Sequence, residues 1–172
     1  AMRVSPVGWA FDTVDDVLGE AARTAEISHN HPEGIKGAQA AALAVFLART
    51  TGDKGLVKKE IAGRFGYSLD RTVDRIRPSY GFDVSCQGTV PEAVISFLEA
   101  DGYEDAVRNA VSLGGDSDTL ACITGAIAEA YYGPLKPDIL HKVETILPDD
   151  LWRIVEQFRR RYARRGRDPF RE

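Results

Sequence analysis

Two stretches of this chain are too apolar to lie on a surface. Between Ile35 and Thr51, Ala38, Ala40, Ala41, Ala42, Leu43, Ala44, Val45, Phe46 and Leu47 follow one another almost without a polar break, and Gly52 stops the run. From Asp116 to Tyr132 the pattern returns, with Leu120, Ala121, Cys122, Ile123, Ala126, Ile127, Ala128 and Ala130 ahead of Gly133-Pro134. A helix with no polar face has to be surrounded by other elements, so both segments are expected to be central. Neither reaches the ~18 uninterrupted apolar residues of a membrane span.

The rest of the chain supplies candidates for the surrounding layer. Thr13 to Ile27 places Val14, Val17, Leu18, Ala21 and Ala25 at helical spacing behind a capping-box-like Thr13 and Asp16. A turn at 29–34 precedes the first central helix. Lys54 to Phe65, closed by Gly66, predicts a shorter helix, and 67–87 reads as irregular connection with one helical turn at most. Val90 to Glu99, with Pro91 in its first turn, and Tyr103 to Ser112 form a helical hairpin around Asp101-Gly102. Pro137 to Leu147 and Pro148 to Arg165 complete about eight helices with short connections and no period-2 strands. The expected fold is all-α, a compact multi-helix bundle forming a single domain over residues 1–172.

Composition narrows the function. The chain has 172 residues, 44% hydrophobic and 28% charged, far from the signature of disorder. A net charge of -4 gives no field that draws the molecule to nucleic acid or an anionic membrane. Cys86 and Cys122 stand alone, without a CxxC pattern, which argues against a disulfide framework or zinc site and fits a reducing cytoplasm. At the other end of the argument, Arg3 to Trp9 reads as ordered domain interior, although Ala1 precedes Met2. Either a tag residue precedes a start methionine or residues upstream are missing.

Chemistry concentrates in Ser112-Leu113-Gly114-Gly115-Asp116-Ser117-Asp118-Thr119. Two glycines free the backbone to turn sharply just before a helix, and Asp116, Asp118 and Thr119 offer three oxygen ligands within four residues. Hard oxygen donors are what Mg²⁺ or Mn²⁺ prefers. The same residue types also cap ordinary helices by satisfying free backbone N-H groups, and spacing alone leaves both readings open.

The run from Gly114 to Gly133 resembles the hallmark of the ADP-ribosylglycohydrolase family, whose Asp-x-Asp-Thr residues bind a binuclear metal centre. The resemblance implies Asp116, Asp118 and Thr119 as metal ligands for Mg²⁺ or Mn²⁺, at the N-terminal end of a buried helix with side chains converging on a cleft. Ala1 to Pro6 is similar to the end of the family's substrate loop, and His29 to Gly34 to its His-Pro loop. These matches imply substrate contacts from Met2, Gly115 and His31, with His31 in the wall of an ADP-ribose pocket. The family's remaining metal ligands, its catalytic acidic residue and the start of the substrate loop are expected upstream of residue 1. The fold implied is the C-terminal portion of the family's orthogonal helical bundle, lacking its N-terminal helices.

The expected function is metal-dependent hydrolysis of the glycosidic bond between ADP-ribose and an acceptor, with this chain alone inactive. A binding module for ADP-ribose or a partner protein, and a metal-dependent phosphohydrolase, are the alternatives. The partner expected is ADP-ribose or an ADP-ribosylated macromolecule. Loss of upstream helices is expected to uncover an apolar face on the 35–51 or 116–132 helix and favour self-association. Elsewhere the bland readings stand. Arg159, Arg160, Arg161, Arg164, Arg165, Arg167 and Arg171 complement a helix C-terminus. Trp9, Trp152 and Phe158 are core or staple residues. Glu33, Gln87 and Glu92 serve turns and helix starts.

Overall fold

A computed structural model describes residues 1–162. All regular structure among them is helical: α1 (Ser5–Ala10), α2 (Val14–Glu26), α3 (Pro32–Thr51), α4 (Lys54–Phe65), α5 (Val73–Ile76), α6 (Cys86–Glu99), α7 (Tyr103–Ser112), α8 (Ser117–Tyr132), α9 (Pro137–Ile146) and α10 (Asp149–Tyr162). No helix among the described residues is long and apolar enough to cross a membrane.

Local chemistry sets most of the boundaries. Thr13 Oγ1 accepts from the Asp16 amide at 3.1 Å and donates to the Asp16 carboxylate at 2.7 Å, so the helix start read from the sequence is a true cap. Asp53, Thr72 and Ser85 cap α4, α5 and α6 in the same way. Gly52 and Gly66 close α3 and α4 in the left-handed conformation, with φ of 60° and 67°. Three boundaries differ from the sequence reading. A short α1 stands where only ordered chain was expected, and α3 begins at Pro32 because His31 caps it. Helix α6 starts at Cys86, so Pro91 is interior and not in the first turn. Ser85 Oγ and the Asp83 carbonyl hold that extra turn through Gly88 N and Thr89 Oγ1. The helix loses a single backbone bond at Pro91.

Helix α3 is the centre of the molecule. It is buried from Ala40 through Arg49 and packs against α1, α2, α4, α6 and α8, while α8 lies against α3, α6 and α7. No large apolar side chain of α3 or α8 is exposed. The uncovered face of large apolar side chains expected on one of these helices is therefore not seen, because α1, α2, α4 and α6 cover α3, and α6 and α7 cover α8. Exposed apolar side chains sit instead on α9 and α10, at Val143, Ile146, Leu151, Ile154 and Val155. Neither of those helices contributes a buried residue, and Trp152 and Phe158 are only half-buried. Trp9 packs against the core from α1. Arg164, Arg165, Arg167 and Arg171 lie outside the described residues, as does the expected end of the last helix.

Two cations tie the helices together. Arg49, 5% exposed, donates from Nε to the Gly8 carbonyl at 3.2 Å and from Nη2 to the Phe11 carbonyl at 2.9 Å. It thereby satisfies carbonyls at the end of α1 that no helix bond reaches. Lys54 Nζ does the same for α6, donating to the Leu98 carbonyl at 3.0 Å and to the Ala100 carbonyl, over the rings of Phe97, Tyr131 and Tyr132.

The α1–α3 crossing depends on Gly8, where an added Cβ would lie 2.6 Å from the Ala42 carbonyl oxygen and 2.7 Å from Val45 Cβ. Gly8→Ala is expected to lower stability by about 1–3 kcal/mol through overpacking. Gly19→Ala, into open space on α2, is expected to raise it by up to ~1 kcal/mol. Thermal unfolding of both variants checks the crossing.

Candidate functional site

The Leu113–Asp116 connection is built by backbone conformation. Leu113 is buried beneath α7, and Gly114 and Gly115 follow with φ of 74° and 63°, two successive left-handed residues that reverse the chain into α8. Gly115 is also pressed against a neighbour, since a Cβ there would stand 2.5 Å from the Gly81 carbonyl oxygen and 3.0 Å from Tyr80 Cε1. A second tie comes from Arg77, whose Nε and Nη2 donate to Ser112 Oγ at 3.2 and 3.1 Å. Nothing in the periodicity of 67–87 announces either contact.

At the head of α8, Asp116 occupies the N-cap position but makes no side-chain cap hydrogen bond. The neighbouring Asp116 side chain and the Thr119 amide, which donates to Asp118 Oδ1 at 3.0 Å, draw the Asp118 carboxyl below the usual carboxylate range. The capping reading thus does not account for Asp116, and the donor set left over, two carboxylates and the Thr119 hydroxyl, is of the hard type that suits Mg²⁺ or Mn²⁺. The set is one-sided. Asp118 is exposed, and among the described residues no group of three or more His, Cys, Asp and Glu side chains converges as a metal cluster.

Met2 links this corner to a cavity of about 280 Å³ lined by residues 1–4, Thr24, Ala25, His29, Gly34 and Ala38. Thr119 Oγ1 donates to Met2 Sδ at 3.3 Å and Cys122 Sγ to the Met2 carbonyl at 3.7 Å. The cavity lining includes Met2 but neither carboxylate. Arg3 closes one wall by donating to the Thr24 carbonyl and to Ser28 Oγ, both at 2.6 Å, and Ser28 Oγ lies 2.8 Å from His29 Nδ1. His31 stands outside this lining. It is exposed, and its Nδ1 accepts from the Glu33 amide at 3.2 Å as the cap of α3. The geometry therefore brings Met2, Thr119, Asp116 and Asp118 to one corner, with Gly115 behind them and His31 apart. Arg3 and His29 give the cavity its polar wall, with Ser28 behind them bonded to both.

The two glycines separate backbone strain from close packing. Gly114 has open space where a Cβ would be, so Gly114→Ala is expected to cost about 1–2 kcal/mol for its left-handed backbone alone. Gly115→Ala meets the Gly81 carbonyl as well and is expected to cost at least ~1 kcal/mol more. Chemical denaturation of the two variants measures the difference, and equal losses would mean that Gly81 does not brace the turn.

Comparisons with known proteins agree with one another. The family model for ADP-ribosylglycohydrolase matches residues 1–168. The chain is 31% identical to ADP-ribosylhydrolase ARH3 of Gallus gallus over 178 residues, covering 77% of this chain and 48% of that protein. Against ADP-ribosylhydrolase ARH3 of Homo sapiens it is 29% identical, covering 77% of this chain and 49% of the relative. A solved structure described as an ADP-ribosylglycohydrolase-related protein complex superposes with a TM-score of 0.59 at 26% identity, over 74% of this chain and 47% of that one. The chain spans about half the length of the relatives it matches. With its all-helical architecture and its Gly-Gly-Asp-Ser-Asp-Thr turn in place, the chain belongs to the ADP-ribosylglycohydrolase family of hydrolases.

Proposed function

We propose that this chain carries one side of the active site of an ADP-ribosylglycohydrolase, the side that contributes Asp116, Asp118 and Thr119 to a divalent-metal centre and Met2, Gly115 and His31 to the substrate's surroundings. The observation that carries the reading is Asp116 standing at the N-cap of α8 without capping it, with Asp118 and Thr119 in the turn that follows. A carboxylate pair held in this way is suited to a cation. Bound Mg²⁺ or Mn²⁺, two ions in the complete site, supplies fixed positive charge beside the ribose hydroxyls as the sugar becomes oxocarbenium-like.

The chain's own residues have simpler tasks. Asp116, Asp118 and Thr119 present oxygen donors from the end of a helix packed against α3, α6 and α7, and the N-terminal end of α8 is itself favourable to an anionic ligand. Met2 connects those donors to the cavity, where Arg3 lies in the lining and suits a diphosphate. His29, in that lining, and His31, beside it on the chain, supply polar contacts to the substrate.

Half a metal centre does not complete the chemistry. The catalytic acidic residue and the opposing ligands belong to residues that this chain does not contain, and a positioned acid or base alone contributes about 100- to 10,000-fold. The test is release of ADP-ribose from modified arginine and serine peptides with Mg²⁺, comparing this chain with one extended to the full length of its relatives. The chain alone is expected to turn over near background, and the extended form to be active and lose activity on Asp118→Ala. Equal activity of the two forms would overturn the half-site reading. Release of AMP in place of ADP-ribose would point to a phosphohydrolase, and binding without product from the extended form to a binding module.

A further inference from the structure

Helix α10 gains almost nothing from the core it lies beside. None of its residues is buried, and α9 before it buries none either. A cavity of about 310 Å³ is lined by Ile154, Val155 and Phe158 of α10, by Pro6 and Trp9 of α1, and by Pro134 beyond α8. Ile146, Leu151 and Ile154 are 67%, 47% and 61% exposed. A helix of 14 residues is marginal in water on propensity alone and is held by the packing of its apolar face. The apolar face of α10 therefore calls for cover that the other described residues do not supply.

The order of residues along the helix says what that cover is. Leu151, Val155, Phe158 and Tyr162 recur at steps of four, three and four, the spacing of a seam between two helices. Charge is split along the same helix, with Asp149 and Asp150 in its first turn and Arg159, Arg160 and Arg161 in its last. Asp150 and Arg161 are separated by about three whole turns, so both stand on the same flank of the seam. A second α10 running the opposite way sets the acidic first turn of each helix beside the basic last turn of the other, whereas a parallel one sets like charge on like. Opposed helix dipoles add to the same preference. The pattern is thus complementary to itself about a two-fold axis beside Val155, as an isologous dimer requires.

We propose that α10 is a dimerisation helix: two copies of this chain pair through antiparallel α10 seams centred beside Val155, with Asp150 of each copy facing Arg161 of the other. Arg161 is exposed and lies over the Tyr162 ring, with 5.4 Å to its centroid, which leaves the guanidinium N-H donors to a carboxylate. The self-association expected of the central helices is thereby assigned to the last described one. One helix pair of this length buries an area at the small end of specific interfaces, so a Kd of ~10–100 µM is expected.

The test is sedimentation velocity of this chain over a concentration series, with helix content followed by circular dichroism. The wild type is expected to pass from monomer to dimer in that range. Leu151→Glu is expected to weaken pairing by at least about tenfold, since it sets a charge in the seam twice over. Asp150→Arg and Arg161→Asp are each expected to weaken it by about tenfold, because each turns two symmetry-related attractions into repulsions. Combining the two is expected to restore the wild-type affinity. Both reversals oppose the helix dipole, so recovery comes from pairing between copies and not from a firmer helix. A wild type that stays monomeric well above that range, a dimer indifferent to Leu151→Glu, or a combined variant no better than either single one would overturn the proposal. So would a dimer that is lost when the chain is extended to the full length of its relatives, since the added segment would then be the cover of α10.

Discussion

Leu120, Ile123, Thr124, Ile127 and Ala128 are buried along one flank of α8, and Thr124 Oγ1 donates to the Ala93 carbonyl of α6 at 3.0 Å. This packing fixes the rotation of α8 as well as its place. A helix locked at its middle can carry an exposed, densely charged first turn because the core, not the turn, holds it. Fully burying a Leu or Ile side chain contributes about 1.5–3 kcal/mol, so the buried flank outweighs the cost of holding two carboxyl groups together at the surface. The site depends on that imbalance. Asp116, Asp118 and Thr119 point where α8 directs them, and Met2 reaches them because α1 is held to α3 at Gly8 and Arg49.

The same logic explains which parts of the structure were legible in the sequence. Long alanine-rich runs leave few alternatives, so α3 and α8 could be read as central from composition alone. Thr13, Gly52, Gly66 and Gly133 act through their own backbones and the next few residues, and they marked the helix ends correctly. Pro91 misled because proline is common in first turns, whereas here Ser85 and Asp83 hold a turn upstream of it. The apolar face expected on α3 or α8 was inferred from what seemed removed, without counting the cover that α1, α2 and α6 supply.

The site divides along the same line. Asp116, Asp118 and Thr119 are neighbours in sequence, so a motif exposes them, whereas the Met2 contact with Thr119 across 117 positions was not read from the sequence, which offered Met2 only as a substrate residue. His31 shows the limit: a polar residue beside proline fits both a ligand wall and a helix cap, and the structure has it capping α3. Tyr80, Gly81 and Glu92 were not legible at all. Their contacts, Arg71 with Glu92 and Tyr80 and Gly81 with Gly115, span 21 to 35 positions of chain, which no local period records, and Glu92 looked like a helix-start residue because its burial is set by helices far along the sequence.

The central claim is that Asp116 and Asp118 form one side of a divalent-metal centre, and anomalous scattering from crystals grown with Mn²⁺ addresses it without relying on turnover. The account predicts an anomalous peak between the Asp116 and Asp118 carboxyl groups and within reach of Thr119 Oγ1, lost in crystals of Asp118→Ala. Well-ordered crystals with Mn²⁺ bound elsewhere, and no peak beside these two carboxyl groups, would contradict it.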